Sequence, residues 1–486
     1  GGLSFEGLNN SGALNKNMLV VLNDNTMSIS KNVGALSKYL TNILTDEKYN
    51  KIKAEVWDLV GKFKRRDKIR TMVARVEEHV KGFLVPGIIF EKLGFRYFGP
   101  IDGHNIQQLV RILEHIKNLN GPVLLHVLTQ KGKGYKYAEE DAPRFHGIGM
   151  FDKVTGNSDI QPGQLSYTDV FGQAIVELAE KDEKIVAITA AMSLGTGLVD
   201  FAKKFPNRFY DVGIAEQHGT TFACGLATLG MKPVFAVYST FLQRAFDQVL
   251  HDTALQNLTV IFAVDRAGLV GEDGPTHHGA FDLSYLRQIP NLTIMAPKDG
   301  NELRGMLSSI VNWNKGPVVI RYPRSLVPDE KIEQGFREIE TASWEVLRQG
   351  EDILVLAIGS MVYPSLEAAQ ICVESGIDAC VVNARFIKPL DETLLSSLLR
   401  KFNRIITVEE NVLAGGFGSA ILEYIEAQGT RTKISVKRMG IPDSFIQHGS
   451  RKTLLEELHL DRDSIAKLIK QTAIHRKKKV IAETQK

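Results

Sequence analysis

Short apolar runs recur along the whole chain, each bounded by polar or glycine-rich segments and separated from the next by amphipathic stretches of helical period. They fall at Met18–Leu22, Val123–Leu128, Ile185–Thr189, Val234–Tyr238, Thr259–Val264, Leu292–Ala296, Val318–Tyr322, Ile353–Ile358, Ala379–Asn383, Ile405–Val408 and Ile434–Lys437. A strand that is apolar at every position has no face for water. It must lie in a sheet covered on both sides, which is what parallel sheets flanked by helices provide. The pattern therefore predicts an α/β fold with mainly parallel sheets.

At 486 residues the chain is long enough for about three domains of ~150 residues. The pattern places them at residues 1–153, 164–328 and 340–472, with a basic tail at 473–486 carrying His475-Arg-Lys-Lys-Lys479 as a solvated end. Gly147–Leu165 and Leu326–Glu340 read as linkers. In the first domain a charged stretch from Asp46 to Val80 has helical character with an exposed polar face. The second opens on Ser166-Tyr-Thr-Asp169, a capping-box pattern, followed by Val170, Ala174 and Leu178 at helical spacing. In the third, Glu409-Glu-Asn-Val-Leu-Ala-Gly-Gly-Phe-Gly418 lacks the full dinucleotide-binding glycine spacing and reads as a tight strand-to-helix turn.

Composition narrows the function classes. A net charge of +3 gives no case for nucleic acid or an anionic membrane surface as the main partner. No apolar run approaches the ~20 residues needed to cross a bilayer. Three cysteines, Cys224, Cys372 and Cys380, match no metal-ligand spacing, and so sparse a set suits a reducing cytoplasm better than a disulfide scaffold.

The ends of the apolar runs carry the chemistry. Met18–Leu22 stops at Asn23-Asp24-Asn25, which closes a strand as a polar turn or delivers oxygen ligands to a hard ion such as Mg²⁺ at the sheet's carboxyl edge. Lys131, Tyr238, Arg266 and Arg324 also lie at or just past the ends of such runs. Each alone reads as a surface loop residue; together they suit an anionic ligand. Glu216 follows Asp211-Val-Gly-Ile-Ala215, a mostly apolar setting where an ionised carboxylate needs a partner, although a first-turn Glu beside a helix dipole is the plainer alternative. His146 and His277 can pass protons near neutral pH or be structural loop residues.

Ordered motifs sharpen this. Gly1-Gly-Leu-Ser-Phe-Glu-Gly-Leu-Asn-Asn10 and Leu22-Asn-Asp-Asn-Thr-Met-Ser-Ile29 are followed by Phe98-Gly-Pro-Ile-Asp-Gly-His104 and Lys131-Gly-Lys-Gly-Tyr135. Ala215-Glu-Gln-His218, Tyr238-Ser-Thr-Phe-Leu-Gln-Arg244, Asp265-Arg-Ala-Gly268, Gly274-Pro-Thr-His-His-Gly279 and Arg321-Tyr-Pro-Arg324 complete the series. Over nearly its whole length the chain resembles the transketolase-like, thiamin-diphosphate-dependent enzymes. The resemblance implies three transketolase-like domains: the remainder of a diphosphate-binding domain, a pyrimidine-binding domain and a C-terminal domain. The family's Gly-Asp-Gly, whose acid is a Mg²⁺ ligand, would precede Gly1, so the resemblance also implies an N-terminally incomplete sequence.

The same resemblance assigns roles. Asn25 and the Met27 carbonyl would bind Mg²⁺, and Lys131 would neutralise the diphosphate. Ile29 and Ile214 would bend the cofactor, Phe241 would stack on its pyrimidine ring, and Glu216 would share a proton with that ring. Tyr238, Arg244, Arg266, Asp273 and Arg324 would contact substrate, and His146 and His277 would move protons. Arg321, on the alternate face of its strand, reads as structural.

The implied reaction joins pyruvate, with loss of CO₂, to glyceraldehyde 3-phosphate, giving 1-deoxy-D-xylulose 5-phosphate for isoprenoid precursor, thiamin and pyridoxal synthesis. A cytoplasmic homodimer is implied as well. Within the same fold the alternatives are a transketolase, which uses a ketose-phosphate donor, and the E1 subunit of a 2-oxoacid dehydrogenase. An inactive scaffold or regulator with this fold is the alternative of another class.

Overall fold

The computed structural model describes residues 2–27, 32–35, 87–157, 164–313, 315–328, 331–429 and 433–484, with side chains to residue 473. The expected helix within 46–80 and Ile29 lie outside the described residues. The chain forms two compact units, residues 1–160 with 213–215, and residues 161–212 with 216–486.

The first unit contains a three-stranded parallel sheet built from β1 (Met18–Asp24), β2 (Arg96–Asp102) and β3 (Pro122–Leu128), in the order β1-β3-β2. β3 is central and buried along almost its whole length, as its unbroken apolar run requires. Ile101, Ile116, Val123, Leu125 and Val127 make one core cluster. Phe90, Phe95 and Leu124, with Val20, Leu22 and Tyr97 packed on them, make another. β2 is absent from the apolar pattern because Gly99-Pro100 interrupts it; the pairing with β3 shifts register at that point, between Phe98 and Ile101.

The second unit holds two sheets. One contains β4 (Ile185–Thr189), β5 (Phe209–Asp211), β6 (Lys232–Tyr238), β7 (Ile261–Asp265), β8 (Thr293–Met295) and β9 (Val318–Arg321). The other contains β10 (Glu345–Arg348), β11 (Ile353–Ala357), β12 (Ala379–Asn383), β14 (Arg404–Val412) and β15 (Ser435–Ile441), in the order β10-β12-β11-β14-β15. β13 (Phe386–Lys388) leaves the second group and pairs antiparallel with β8, giving a seven-stranded sheet ordered β13-β8-β9-β7-β6-β4-β5. Apart from β13 and the antiparallel edge β10, every named pairing in these sheets is parallel.

Local signals act as the sequence predicts where the pattern is strong. The helix Tyr167–Lys181 starts on a full capping box: the Ser166 hydroxyl accepts from the Asp169 amide at 3.1 Å, and the Asp169 carboxylate accepts from the Ser166 amide at 2.9 Å. Val170, Phe171, Ala174 and Ile175 are then fully buried. Removing each large member of that stripe from water stabilises by roughly 1.5–3 kcal/mol.

Two expectations change. β14 runs four residues past Val408, through Glu409, Glu410 and Asn411, all buried; charges that read as a strand end are satisfied inside the protein. The last helix, Arg462–Thr484, continues through the segment expected as a separate tail. In the strand-to-helix turn itself, the Glu409 carboxylate accepts from the Phe417 and Gly418 amides at 2.7 and 2.8 Å, capping the helix Phe417–Ala427.

Candidate active site

In a parallel sheet every strand ends on the same edge, so residues at the strand ends are gathered there by topology. β6 ends on Tyr238, Arg266 follows β7 directly, and Arg324 stands three residues beyond β9. Arg266 lies with its guanidinium carbon 3.8 Å from the centre of the Tyr238 ring. It donates to the Gly195 carbonyl at 2.6 Å and is 3.0 Å from Asp265 Oδ1, while the other Asp265 oxygen accepts from the Thr168 hydroxyl at 2.7 Å. Arg266 takes a left-handed conformation, φ 62°. Such backbone is uncommon outside glycine and is held here by neighbours on both sides.

A Cβ on residue 195 would lie 1.9 Å from the Tyr238 hydroxyl, so only glycine lets that phenol in. Burial pushes the Tyr238 phenol up to about 12, with the nearby Asp265 and Asp273 charges adding to it and Arg266 and Arg324 opposing it. At neutral pH the phenol is protonated and can donate a hydrogen bond.

Tyr238 stacks on Phe241, with centroids 5.7 Å apart and planes 14° from parallel, and Phe241 meets His277 edge-on at 5.6 Å. His277 Nδ1 shares a 2.8 Å hydrogen bond with the Thr276 hydroxyl, which fixes the ring and leaves Nε2 to face outward chemistry. Arg324 is ion-paired with Asp273, both about one-third exposed.

Glu216 is the first residue of the helix Glu216–Thr228, where the dipole favours an anion. Its side chain is 2% exposed. Oε2 has Arg244 Nη1 at 3.1 Å but lies off the hydrogen-bond line, so this buried oxygen makes no hydrogen bond. Arg244, expected at the substrate, is thus the counter-charge of the expected catalytic acid.

In the first unit, the backbone past β1 turns sharply. The Asp24 carboxylate accepts from the Thr26 amide at 2.9 Å, Asn25 Oδ1 accepts from the Met27 amide at 3.0 Å, and Thr26 is left-handed at φ 57°. The His126 hydrogen bond, with the Thr26 amide assisting against burial, holds the Asp24 carboxyl below its usual range. Among the described residues no carboxylate pairs with Lys131, and burial lowers its ammonium. His146 is exposed on a loop, and Ile214 is 39% exposed.

The residues fit thiamin diphosphate. A buried carboxylate oxygen without a hydrogen bond suits a ring nitrogen that shares a proton, and the aromatic ring of Phe241 suits a heterocycle. Asn25 Oδ1 keeps one lone pair for a hard ion. Among the described residues no group of three or more His, Cys, Asp or Glu is assembled for a metal. Asn25 Oδ1 and the Met27 carbonyl would hold Mg²⁺ alongside ligands from elsewhere, phosphate oxygens among them.

Sequence reasoning did not single out Asp265, Thr168, Gly195 and Thr276. Asp265 and Thr276 stand directly before Arg266 and His277, and Thr168 lies in the capping-box segment, but none of the three had a role assigned from sequence. Gly195 acts through its backbone, which no side-chain pattern marks.

Known proteins match the chain over nearly its whole length. The family described as "1-deoxy-D-xylulose-5-phosphate synthase" matches residues 1–129, "Transketolase, pyrimidine binding domain" matches 163–330, and "Transketolase, C-terminal domain" matches 342–465. The chain is 53% identical over 468 residues to 1-deoxy-D-xylulose-5-phosphate synthase 1 of Geobacter sulfurreducens, spanning 96% of this chain and 73% of that one. It is 50% identical over 487 residues to the 1-deoxy-D-xylulose-5-phosphate synthase of Pelotomaculum thermopropionicum, spanning 99% of this chain and 76% of that one. Among solved structures, an inactive β4 tetramer of a split-gene transketolase matches with a TM-score of 0.57 at 32% identity, over 64% of this chain and 99% of that one. The transketolase of Campylobacter jejuni matches with a TM-score of 0.55 at 18% identity, over 97% of this chain and 75% of that one, a likeness of fold alone.

Proposed function

The chain belongs to the 1-deoxy-D-xylulose-5-phosphate synthase family, and from that premise we infer how its own side chains divide the work. It is a thiamin-diphosphate-dependent transferase of the transketolase type. It joins pyruvate, with release of CO₂, to glyceraldehyde 3-phosphate, forming 1-deoxy-D-xylulose 5-phosphate for isoprenoid precursor synthesis. When bound, thiamin diphosphate supplies the nucleophilic carbon and the electron sink that decarboxylation needs.

Glu216 is the proton-sharing acid. The observation that carries this assignment is its buried Oε2, which makes no hydrogen bond within the described protein. Phe241 offers a flat apolar face to the pyrimidine, and Ile214 and Ile29 constrain the bend of the cofactor. Asn25 and the Met27 carbonyl take Mg²⁺, and Lys131, with no carboxylate partner among the described residues, balances the diphosphate.

Arg266 and Arg324 grip the acceptor's phosphate, for which a guanidinium fork is suited. Arg324 is held in place by Asp273 until that phosphate arrives. Tyr238 donates a hydrogen bond to substrate oxygen, and Arg244 contacts substrate when the cofactor claims Glu216. His277, steered by Thr276, gives or takes a proton at Nε2; His146 is a second proton carrier. Binding energy spent on the remote phosphate orients the aldehyde for carbon–carbon bond formation. A homodimer and a cytoplasmic location belong to the same reading and rest on the family resemblance.

The test is direct. Purified full-length protein supplied with Mg²⁺, thiamin diphosphate, pyruvate and glyceraldehyde 3-phosphate should consume both substrates with one CO₂ per product. Turnover of ketose-phosphate donors in place of pyruvate, or no CO₂ release, would overturn the assignment.

A further inference from the structure

His126 is placed where an apolar residue would be expected. β3 pairs His126 with Leu22 on β1, and Tyr97 on β2 with Leu124 on β3. Side chains two apart share a face, so Val20, Leu22, Asp24, Leu124, His126 and Tyr97 stand on one side of the sheet. That side is the cluster of Phe90, Phe95 and Leu124. An imidazole 0% exposed in such surroundings is costly unless both nitrogens are bonded.

Both are bonded. Nε2 lies 3.3 Å from Asp24 Oδ2, and Nδ1 lies 2.6 Å from the Tyr97 hydroxyl. A carboxylate only accepts, so Nε2 carries the proton toward Asp24 and the Tyr97 hydroxyl donates to Nδ1. The relay crosses all three strands, from β2 through β3 to β1. It ends on a carboxylate whose other oxygen accepts from the Thr26 amide, and Asp24's own carbonyl accepts from the Thr129 amide at 2.9 Å. Asp24 is therefore clamped at three points directly before Asn25.

We propose that Tyr97 and His126 are positioning residues that fix Asp24, and through it the left-handed Thr26 turn, so that Asn25 Oδ1 and the Met27 carbonyl are preset for the divalent cation. The inference rests on the Mg²⁺ reading of Asn25 and Met27 above. Outer partners of this kind tune metal affinity by orienting ligands they do not replace. An apolar residue at 126 would pack as well and leave Asp24 Oδ2 without its His126 partner.

The experiment is calorimetric titration of the intact apoprotein with thiamin diphosphate at a series of Mg²⁺ concentrations, for wild type, Tyr97→Phe, His126→Leu and His126→Gln. The Mg²⁺ needed for half-maximal cofactor binding should rise about 10- to 100-fold in His126→Leu, with a smaller rise in Tyr97→Phe. His126→Gln, whose amide can still donate to Asp24, should recover most of the loss, which a packing defect would not allow. At saturating Mg²⁺ the turnover number should return toward wild type. An unchanged Mg²⁺ requirement in His126→Leu, or equal losses in the Leu and Gln variants, overturns the proposal. If His126→Leu does not fold, Tyr97→Phe decides by the same criterion, since it removes one oxygen and no packing. Wild type that binds the cofactor without regard to Mg²⁺ would instead overturn the metal reading, and this inference with it.

Discussion

The role proposed for Glu216 turns on one buried oxygen. Its side chain is 2% exposed, and its one close cation among the described residues, Arg244, is itself 37% exposed. Glu216→Gln keeps shape and burial but cannot share a proton with a ring nitrogen. Turnover should fall by about 10²–10⁴-fold with little change in thermal midpoint; a variant retaining most of its turnover would remove Glu216 from the mechanism. Arg266 makes a different prediction, because its guanidinium already spends contacts on Tyr238 and the Gly195 carbonyl. Arg266→Met should raise KM for glyceraldehyde 3-phosphate about 10- to 100-fold, the worth of a charged hydrogen bond. Unphosphorylated glyceraldehyde should be scarcely affected, and equal losses for the two aldehydes would refute the phosphate contact. The sequence marks both residues by their place after apolar runs. It does not mark Gly195, because a carbonyl acceptor depends on how a loop folds rather than on which side chain it carries.

At the scale of elements, strands with unbroken apolar runs were legible to within a residue or two, except that β14 and β15 each run four residues past the expected end. β4 spans Ile185–Thr189 and β12 spans Ala379–Asn383, as the pattern predicts. The strands that escaped it are short or interrupted: three residues in β5 and β13, four in β10, and Gly-Pro inside β2. Their pairing is decided by partners far away in sequence. β14 misleads for the opposite reason, since its acids look solvated and are buried. Burial pushes the Glu409 carboxyl up from its ordinary 4.5 to about 7, against the two amides it caps. A raised acid keeps its proton in the folded state while the unfolded chain has lost it. Its contribution is complete below pH 4.5 and fades as pH climbs through about 7, a swing of roughly 3 kcal/mol. The thermal midpoint of wild type relative to Glu409→Gln, which does not titrate, should therefore decline between about pH 4.5 and 7 and level off above. A difference that stays flat with pH would show that Glu409 is ionised in the fold throughout that range.

At the scale of the molecule, the second and third regions that the sequence separates at residues 328–340 fall within one compact unit. β13 leaves its own region to close the edge of the sheet containing β8. Leu269 and Ala280 share a core with Ile353, Val355, Ile406 and Val408. Between the two regions lies a buried charge network. Arg321 donates to Asp282 at 2.9 Å and to the Glu410 carbonyl at 3.1 Å. The Glu410 carboxylate accepts from the Leu269 amide and the Ser360 hydroxyl and is paired with Arg451. Arg321 and Asp282 are 5% and 0% exposed, so neither can turn to water if the other is lost. Arg321→Met leaves Asp282 as an unpaired buried charge and should destabilise by about 3–5 kcal/mol, whereas adding Asp282→Leu should return most of that loss because the apolar pair has no charge to desolvate. Calorimetry of residues 164–486 should show one transition, moved as a whole by the single substitution. Two transitions, only one of them displaced, would mean that the regions fold independently and that the network merely decorates their boundary.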